Sequence, residues 1–224
     1  RGGICGSWYF ERVRLAVTLS LSDLARTTQD VYERNATRFD AERPKILFER
    51  NWLERFLSFI PDQGLVLDLG CGSGDPIASY IIGQGYRLTG ADASAAMLRL
   101  ARAKFPDGDW RQMDMRALDL PERFHGILGW DSFFHLTRTE QRSVLPKLAV
   151  HLLPSGVLML TVGPGDGEVT GHVGDDTVYH ASLSIDEYTS ILMSEGLEVI
   201  DFVTDEKDCA GHTILLAQKR ADSI

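Results

Sequence analysis

Three glycines alternate at Gly70, Gly72 and Gly74, directly after the short apolar run Leu65–Leu69, whose single charge is Asp68. Glycine lets the backbone turn sharply and lets a ligand approach main-chain atoms with no Cβ in the way. Asp75-Pro76 follows and reads as a helix N-cap with proline at the first helical position. Strand, tight loop and helix start together describe the nucleotide-binding corner of a doubly wound α/β sheet. A second carboxylate, Asp92, ends the next apolar run, Tyr86–Ala91, 18 residues beyond Gly74. From a strand end it can accept both hydroxyl hydrogens of a ribose; the alternative is a cap on the helix beside Ser94. A third, Asp114, stands at the exit of a run that begins at Trp110. Further along, Asp131, His135, Glu168, Tyr179 and His180 are groups that can accept or give a proton beside a reacting atom.

Periodicity supplies the elements that must position these groups. Ser22-Asp23 to about Ala36 is polar and helix-compatible, and Pro44 opens a second helix in which Ile46, Leu47, Trp52, Leu53, Phe56, Leu57 and Ile60 share a packing face. Strands are expected at 65–69, 86–91, from Trp110 towards Arg116, and from His125 to Asp131. Helices are expected at 77–82 and 95–104, and Thr137-x-x-Glu140 is a capping box that opens another over 138–152. A Pro154–Gly156 turn leads to a strand over 157–162. Residues 163–181 are glycine-rich and polar, and read as a long loop over the crevice at the strand ends. Ser184-x-x-Glu187 caps a helix over 185–195, and two strands, 197–204 and 212–218, close the chain around an acidic turn. The fold class is therefore α/β: a doubly wound, Rossmann-like sheet of seven strands, mostly parallel, with an antiparallel strand from the C-terminal hairpin.

The glycine pattern separates the cofactor classes. A dinucleotide fingerprint wants Gly or Ala where Asp75 stands, and a phosphate loop needs Gly-Lys-Ser/Thr, which is absent. Asp68-x-Gly70-x-Gly72-x-Gly74 instead resembles the first motif of the class I S-adenosylmethionine-dependent methyltransferases that act on small molecules. Gly-Ala-Asp92-Ala-Ser-x-x-Met97-Leu resembles that family's second signature, and Trp130-Asp131-Ser-Phe-Phe-His135-Leu its fourth motif. The resemblance covers about residues 32–219. It implies that S-adenosylmethionine is the cofactor, with Asp68 and the loop Gly70, Cys71, Gly72 and Gly74 at its amino-acid end. It also implies Asp92, Ala93 and Met97 at the ribose, Asp114 and Met115 at the adenine, and Trp130 facing the cofactor from the fourth strand. Tyr32 to Pro44 looks like the family's lid segment, which adds Tyr32 and Arg43 to the cofactor residues; the bland reading is a solvated amphipathic helix.

On the acceptor side the candidates are Asp131, His135, Glu168, Tyr179 and His180, each with a plainer alternative: a turn cap, a satisfied core histidine, or solvated loop residues. His172, set between glycines, reads as a surface group. No Cys, His and acid cluster has metal-ligand spacing, so no metal is expected. The formal charge is −9, with 10 basic and 8 acidic groups in residues 1–60 against 13 and 24 in 61–224. An acidic body argues against nucleic acid as partner and leaves a small molecule. Three cysteines, Cys5, Cys71 and Cys209, with no Cys-x-x-Cys, fit a reducing cytoplasm, and Cys71 reads as a small loop residue or a redox thiol. No run is long enough to span a membrane. The expected organisation is an N-terminal extension over 1–22 with no assigned role, a helical lid over 23–60 and one core domain over 61–220, as monomer or homodimer. Two other functional classes stay open: a cofactor-binding module without turnover, and a nicotinamide-dependent oxidoreductase.

Overall fold

The computed structural model describes residues 19–221; most of the expected N-terminal extension, with Cys5, lies outside the described residues. The chain runs α1 (Leu21–Glu42), α2 (Arg50–Leu57), β1 (Leu65–Leu69), α3 (Ile77–Gly83), β2 (Arg87–Asp92), α4 (Ala95–Lys104), β3 (Asp109–Gln112) and β4 (Phe124–Gly129). It continues with α5 (Arg138–His151), β5 (Leu152–Val162), β6 (Gly167–Val173), β7 (Asp176–Ser182), α6 (Ile185–Ser194), β8 (Leu197–Glu206) and β9 (His212–Lys219). Seven strands form one sheet in the order β3-β2-β1-β4-β5-β9-β8, with β9 antiparallel to both of its neighbours and the other pairings parallel. This is the fold class expected from the sequence.

Period-two alternation assigns each strand residue to one of two cores. Leu67, Leu69, Leu158, Leu160 and Leu215 face α5 and α6, against Val144, Leu145, Leu148, Tyr188 and Leu192. Val66, Leu128, Val157, Met159, Ile214 and Leu216 face α2 and α3, where Trp52, Leu53, Phe56, Ile77 and Ile81 pack. Burying a side chain of this size contributes about 1.5–3 kcal/mol, so a sheet covered on both faces is a rigid base for groups at its edge. Trp52 is core, as its helical spacing implied.

Four expectations are corrected. Residues 163–181 are not a loop but contain the antiparallel hairpin β6–β7, turned by Gly174-Asp175 with Gly174 at φ 57°. Glycine followed by aspartate between two β-compatible runs is a two-residue hairpin signal, outweighed in the sequence by the glycine content. The hairpin backs α1: Leu24 and Ala25 pack with Tyr179 and Ala181, and Val31 with Val173 and Val178. The first helix extends to Glu42 rather than ending near Ala36, so most of the Tyr32–Pro44 segment is helical, and the expected lid over 23–60 is two helices, α1 and α2. Pro44 opens no helix, because α2 begins only at Arg50, and Ile46, ahead of that helix, is exposed rather than packed. Asp75 does not cap α3; the Asp75–Pro76 bond is cis and the helix begins at Ile77.

Candidate active site

The carboxyl ends of β1, β2 and β4 open onto a single cavity, roofed by α1. Ligand crevices in open α/β sheets form at this end, where the strand order reverses. The glycine loop sits on β2 through Gly70 and Cys71 N–H donors to the Ala91 carbonyl, at 2.7 and 3.1 Å. Gly70, at φ 78°, is pressed so closely against Ser132 that a Cβ would lie 2.2 Å from the Ser132 Cβ. Gly72, at φ 54°, differs: a Cβ there would meet nothing nearer than the Met97 sulfur at 3.9 Å. It stands on the cavity wall. The open face at Gly72 is a cradle that a side chain would fill.

Asp68 is 3% exposed, lines the cavity, and makes no hydrogen bond among the described residues. Burial, then the charge of Asp92, pushes it up to about 7, against the opposing pull of Arg43. A buried carboxylate without a partner of its own is a site for a cationic group. Asp92 accepts from Gly72 N through Oδ2 and from Ser94 N through Oδ1, both at 2.8 Å, so it holds the loop and the start of α4 together. Each oxygen keeps a second lone pair for a ligand hydroxyl. Asp114 caps a short 3-10 turn through Arg116 N at 2.9 Å and pairs with the Arg116 guanidinium, while Met115 lies beside it on the wall. Burial, reinforced by Asp68 and Asp92, pushes the Cys71 thiol well up, which removes it as a reactive thiolate.

The roof is tied down at several points. Glu33 of α1 accepts from Ser94 Oγ at 2.6 Å and Ala96 N at 2.9 Å, and Asp40 accepts from Ser73 Oγ at 2.6 Å. Tyr32 OH donates to His135 Nε2 at 2.8 Å, because His135 Nδ1–H is committed to the Tyr179 carbonyl at 2.9 Å. Burial dominates at His135 and pushes it down to about 4, so the ring is neutral in neutral solution. Asp131, at φ 51°, receives Arg43 on Oδ2 at 3.3 Å and His212 on Oδ1 at 2.6 Å. Burial opposes its charge, but His212 and Arg43 outweigh burial and hold the carboxyl below its ordinary value. Arg43 also pairs with the fully buried Glu49 at 3.0 Å.

All thirteen residues expected at the cofactor, Tyr32, Arg43, Asp68, Gly70, Cys71, Gly72, Gly74, Asp92, Ala93, Met97, Asp114, Met115 and Trp130, stand on the wall of this one cavity. Of the five acceptor-side candidates, Asp131 and His135 do too. Glu168, Tyr179 and His180 do not. Tyr179 is fully buried behind α1, with its hydroxyl bonded to Glu168, and reaches the site only through its main-chain carbonyl. His180 packs behind His135, ring centroids 4.9 Å apart. These three side chains were misplaced because they belong to a hairpin rather than a loop: Glu168 and Tyr179 bond to each other on one of its faces, and His180 packs on Phe134 and His135 from the other. Glu49 and His212 were missed; neither belongs to a local motif. Among the described residues no group of three or more His, Cys, Asp or Glu side chains is arranged to hold a metal, and no helix is long and apolar enough to cross a membrane.

A methyltransferase-domain family profile matches residues 66–156. The trans-aconitate 2-methyltransferase of Azoarcus sp. (strain BH72) is 34% identical over 108 residues, 45% of this chain and 40% of that protein. The dTDP-3-amino-3,6-dideoxy-alpha-D-glucopyranose N,N-dimethyltransferase of Streptomyces fradiae is 32% identical over 102 residues, again 45% and 40% of the two. The matched stretch thus spans two-fifths of those relatives' length. Among solved structures, an amino pentose methyltransferase from Micromonospora echinaspora superposes with a TM-score of 0.65 at 19% identity, over 83% of this chain and 95% of that one. A Burkholderia thailandensis 1,6-didemethyltoxoflavin-N1-methyltransferase superposes with a TM-score of 0.66 at 18% identity, over 89% and 88%. Over residues 66–156 the chain thus matches a methyltransferase-domain profile, and its fold is the Rossmann-like fold of these methyltransferase structures.

Proposed function

We propose that this protein is an S-adenosylmethionine-dependent methyltransferase acting on a small-molecule acceptor. The observation that carries the reading is the convergence of Asp68, Asp92 and Asp114 on one cavity beneath a glycine loop whose Gly72 face is open. The donor set fits the group: an unpartnered buried carboxylate for an ammonium, a strand-end carboxylate with spare lone pairs for ribose hydroxyls, and an acid beside Met115 for adenine. When bound, the cofactor supplies an electrophilic methyl carbon attached to a sulfonium. Asp68 and the Gly70–Gly74 loop hold its amino-acid end. Asp92 holds the ribose, and Asp114 with Met115 the adenine. The lid helix α1, fastened through Glu33 and Asp40, excludes water and fixes the acceptor's approach. Orientation of that kind supplies about 7–11 kcal/mol, so the chain needs little acid–base chemistry.

The acceptor side supports a neutral or cationic small molecule over an anionic one. The cationic residues of the described wall, Arg43 and Arg116, are each already paired with two carboxylates, Glu49 and Asp131 for one, Asp114 and Glu140 for the other. A polycarboxylate would find no free cation there. The acidic body and cysteine usage support a cytoplasmic setting without nucleic-acid partners. Calorimetric titration with S-adenosylhomocysteine tests the core of the proposal. Micromolar binding is expected, and Asp92→Ala should weaken it at least tenfold, since that change frees both Gly72 N and Ser94 N. No binding by the wild-type chain would remove the reading in favour of a domain that has kept the fold without the cofactor.

A further inference from the structure

His212 begins β9, the antiparallel strand, and so arrives at the carboxyl end of the parallel strands from the opposite direction: its neighbour Thr213 pairs with Val162, the last residue of β5. Both its ring nitrogens face acceptors. Nε2 lies 2.6 Å from Asp131 Oδ1 and Nδ1 lies 2.5 Å from the Cys209 carbonyl. A carbonyl and a carboxylate can only accept, so both nitrogens must donate, and a ring that donates from both is the imidazolium. Phe48 stacks on the ring at 5.9 Å and Trp130 lies at 5.5 Å, which fixes its plane.

Resting on the methyltransferase reading, we infer that His212 is a positioning residue: as a standing imidazolium it holds Asp131 ionised and aimed at the cavity, where Asp131 orients an N–H or O–H of the acceptor. Asp131 has the capacity for this, because His212 and Arg43 occupy one lone pair on each oxygen and leave one on each free. It is a poor proton acceptor for the same reason, since two cations stabilise its anion. Other charged and titratable groups face the pair from every side. Glu49, from the start of α2, favours the cation on His212. Tyr32 from α1 and the neutral pair His135 and His180 bring no further charge at neutral pH. Glu206 lies opposite His212 on β8, and Cys209 contributes its carbonyl while its thiol is kept protonated by burial. Burial opposes the imidazolium, but Asp131 and the Cys209 carbonyl outweigh it and raise His212 above its ordinary value.

The test reads the ring directly and needs no turnover. In long-range proton–nitrogen spectra of the labelled full-length chain, one of the six histidines should show both ring nitrogens protonated at pH 7. That signature should vanish in His212→Gln, and in Asp131→Asn the same residue should titrate about one pH unit lower or more. Should His212→Gln fail to fold, Asp131→Asn alone identifies the signal. A neutral His212 at pH 7 in the wild type, or an unshifted titration in Asp131→Asn, overturns the inference. In a second arm, label transfer from methyl-labelled S-adenosylmethionine to a small-molecule extract should fall at least tenfold in His212→Gln, whereas equal transfer overturns the positioning role. If the wild type transfers nothing, the methyltransferase reading fails while the spectra still decide the state of His212.

Discussion

On one wall of the cavity, Asp68, the Gly70–Gly74 loop and Asp92 fall within a stretch of 25 residues; on the other, Tyr32, Arg43, Asp131 and His135, with His212 behind Asp131, are spread over 181. The first wall is two consecutive strand tips with their own loops, tied by backbone donors to Ala91 and Asp92. The second is stitched from side chains of α1, the loop behind it, the tip of β4 and the start of β9. The first needs only local geometry to form, whereas the second exists only when the whole sheet and its lid are assembled. The wall that carries Asp68 and Asp92 is therefore a property of a motif, and the wall that carries Arg43 and Asp131 a property of the fold.

The largest expected effect strikes the stitched wall. Arg43→Met leaves the fully buried Glu49 without its cation, and removing one partner of a buried pair costs about 3–5 kcal/mol. Urea titration should show a loss on that scale, with most of it recovered in Arg43→Met/Glu49→Met. A loss below about 1 kcal/mol would mean that this wall does not depend on buried charge.

Gly70→Ala should cost about 3 kcal/mol, from a left-handed backbone and a clash with Ser132. Because Ser132 lies on the β4 side and donates to the Leu69 carbonyl, this substitution also reports on where the two walls touch. A mild effect in thermal unfolding would show that they are mechanically separate.

Asp68 gives a pH test of the local wall. Its folded value, about 7, lies above the ordinary 3.8, so the folded state holds a proton that the unfolded state has lost between those values. Stability due to this group is thus present at low pH and falls as pH rises from about 4 to about 7, by up to about 1.4 kcal/mol per pH unit. Ligand-free Asp68→Asn should be more stable than wild type at pH 8, with the difference closing towards pH 4, and should no longer bind S-adenosylhomocysteine. Denaturant titrations at both pH values check this. An equal or lower stability at pH 8 would deny that Asp68 is held ready for a cation.

The smallest effect belongs to the outside of the lid. Arg34→Ala removes an exposed pair with Asp176 and should shift the melting temperature by no more than about 2 °C. A larger shift would mean that α1 and the hairpin stand or fall together.

The parts that were legible in the sequence follow the same division. The glycine spacing and the strand-end acids name the local wall without coordinates, and the period-two runs give the sheet. The hairpin β6–β7 was hidden because five glycines between 163 and 174 resemble a loop, although Gly174-Asp175 marks its turn. Glu168 and Tyr179 are an acid and a phenol in a plausible place, but strand parity sends Tyr179 behind the lid helix.

What the sequence by itself determined is the class of fold and the identity of the first wall, because there each residue's role depends on neighbours a few positions away. What only the tertiary structure decided is that β9 lies between β5 and β8 and so delivers His212 to Asp131, with Arg43 and Glu49 closing the group. Side chains far apart in the chain carry no mark of their future partners. Their pairing is set by strand order and direction, which are settled by the burial of both faces of the sheet at once.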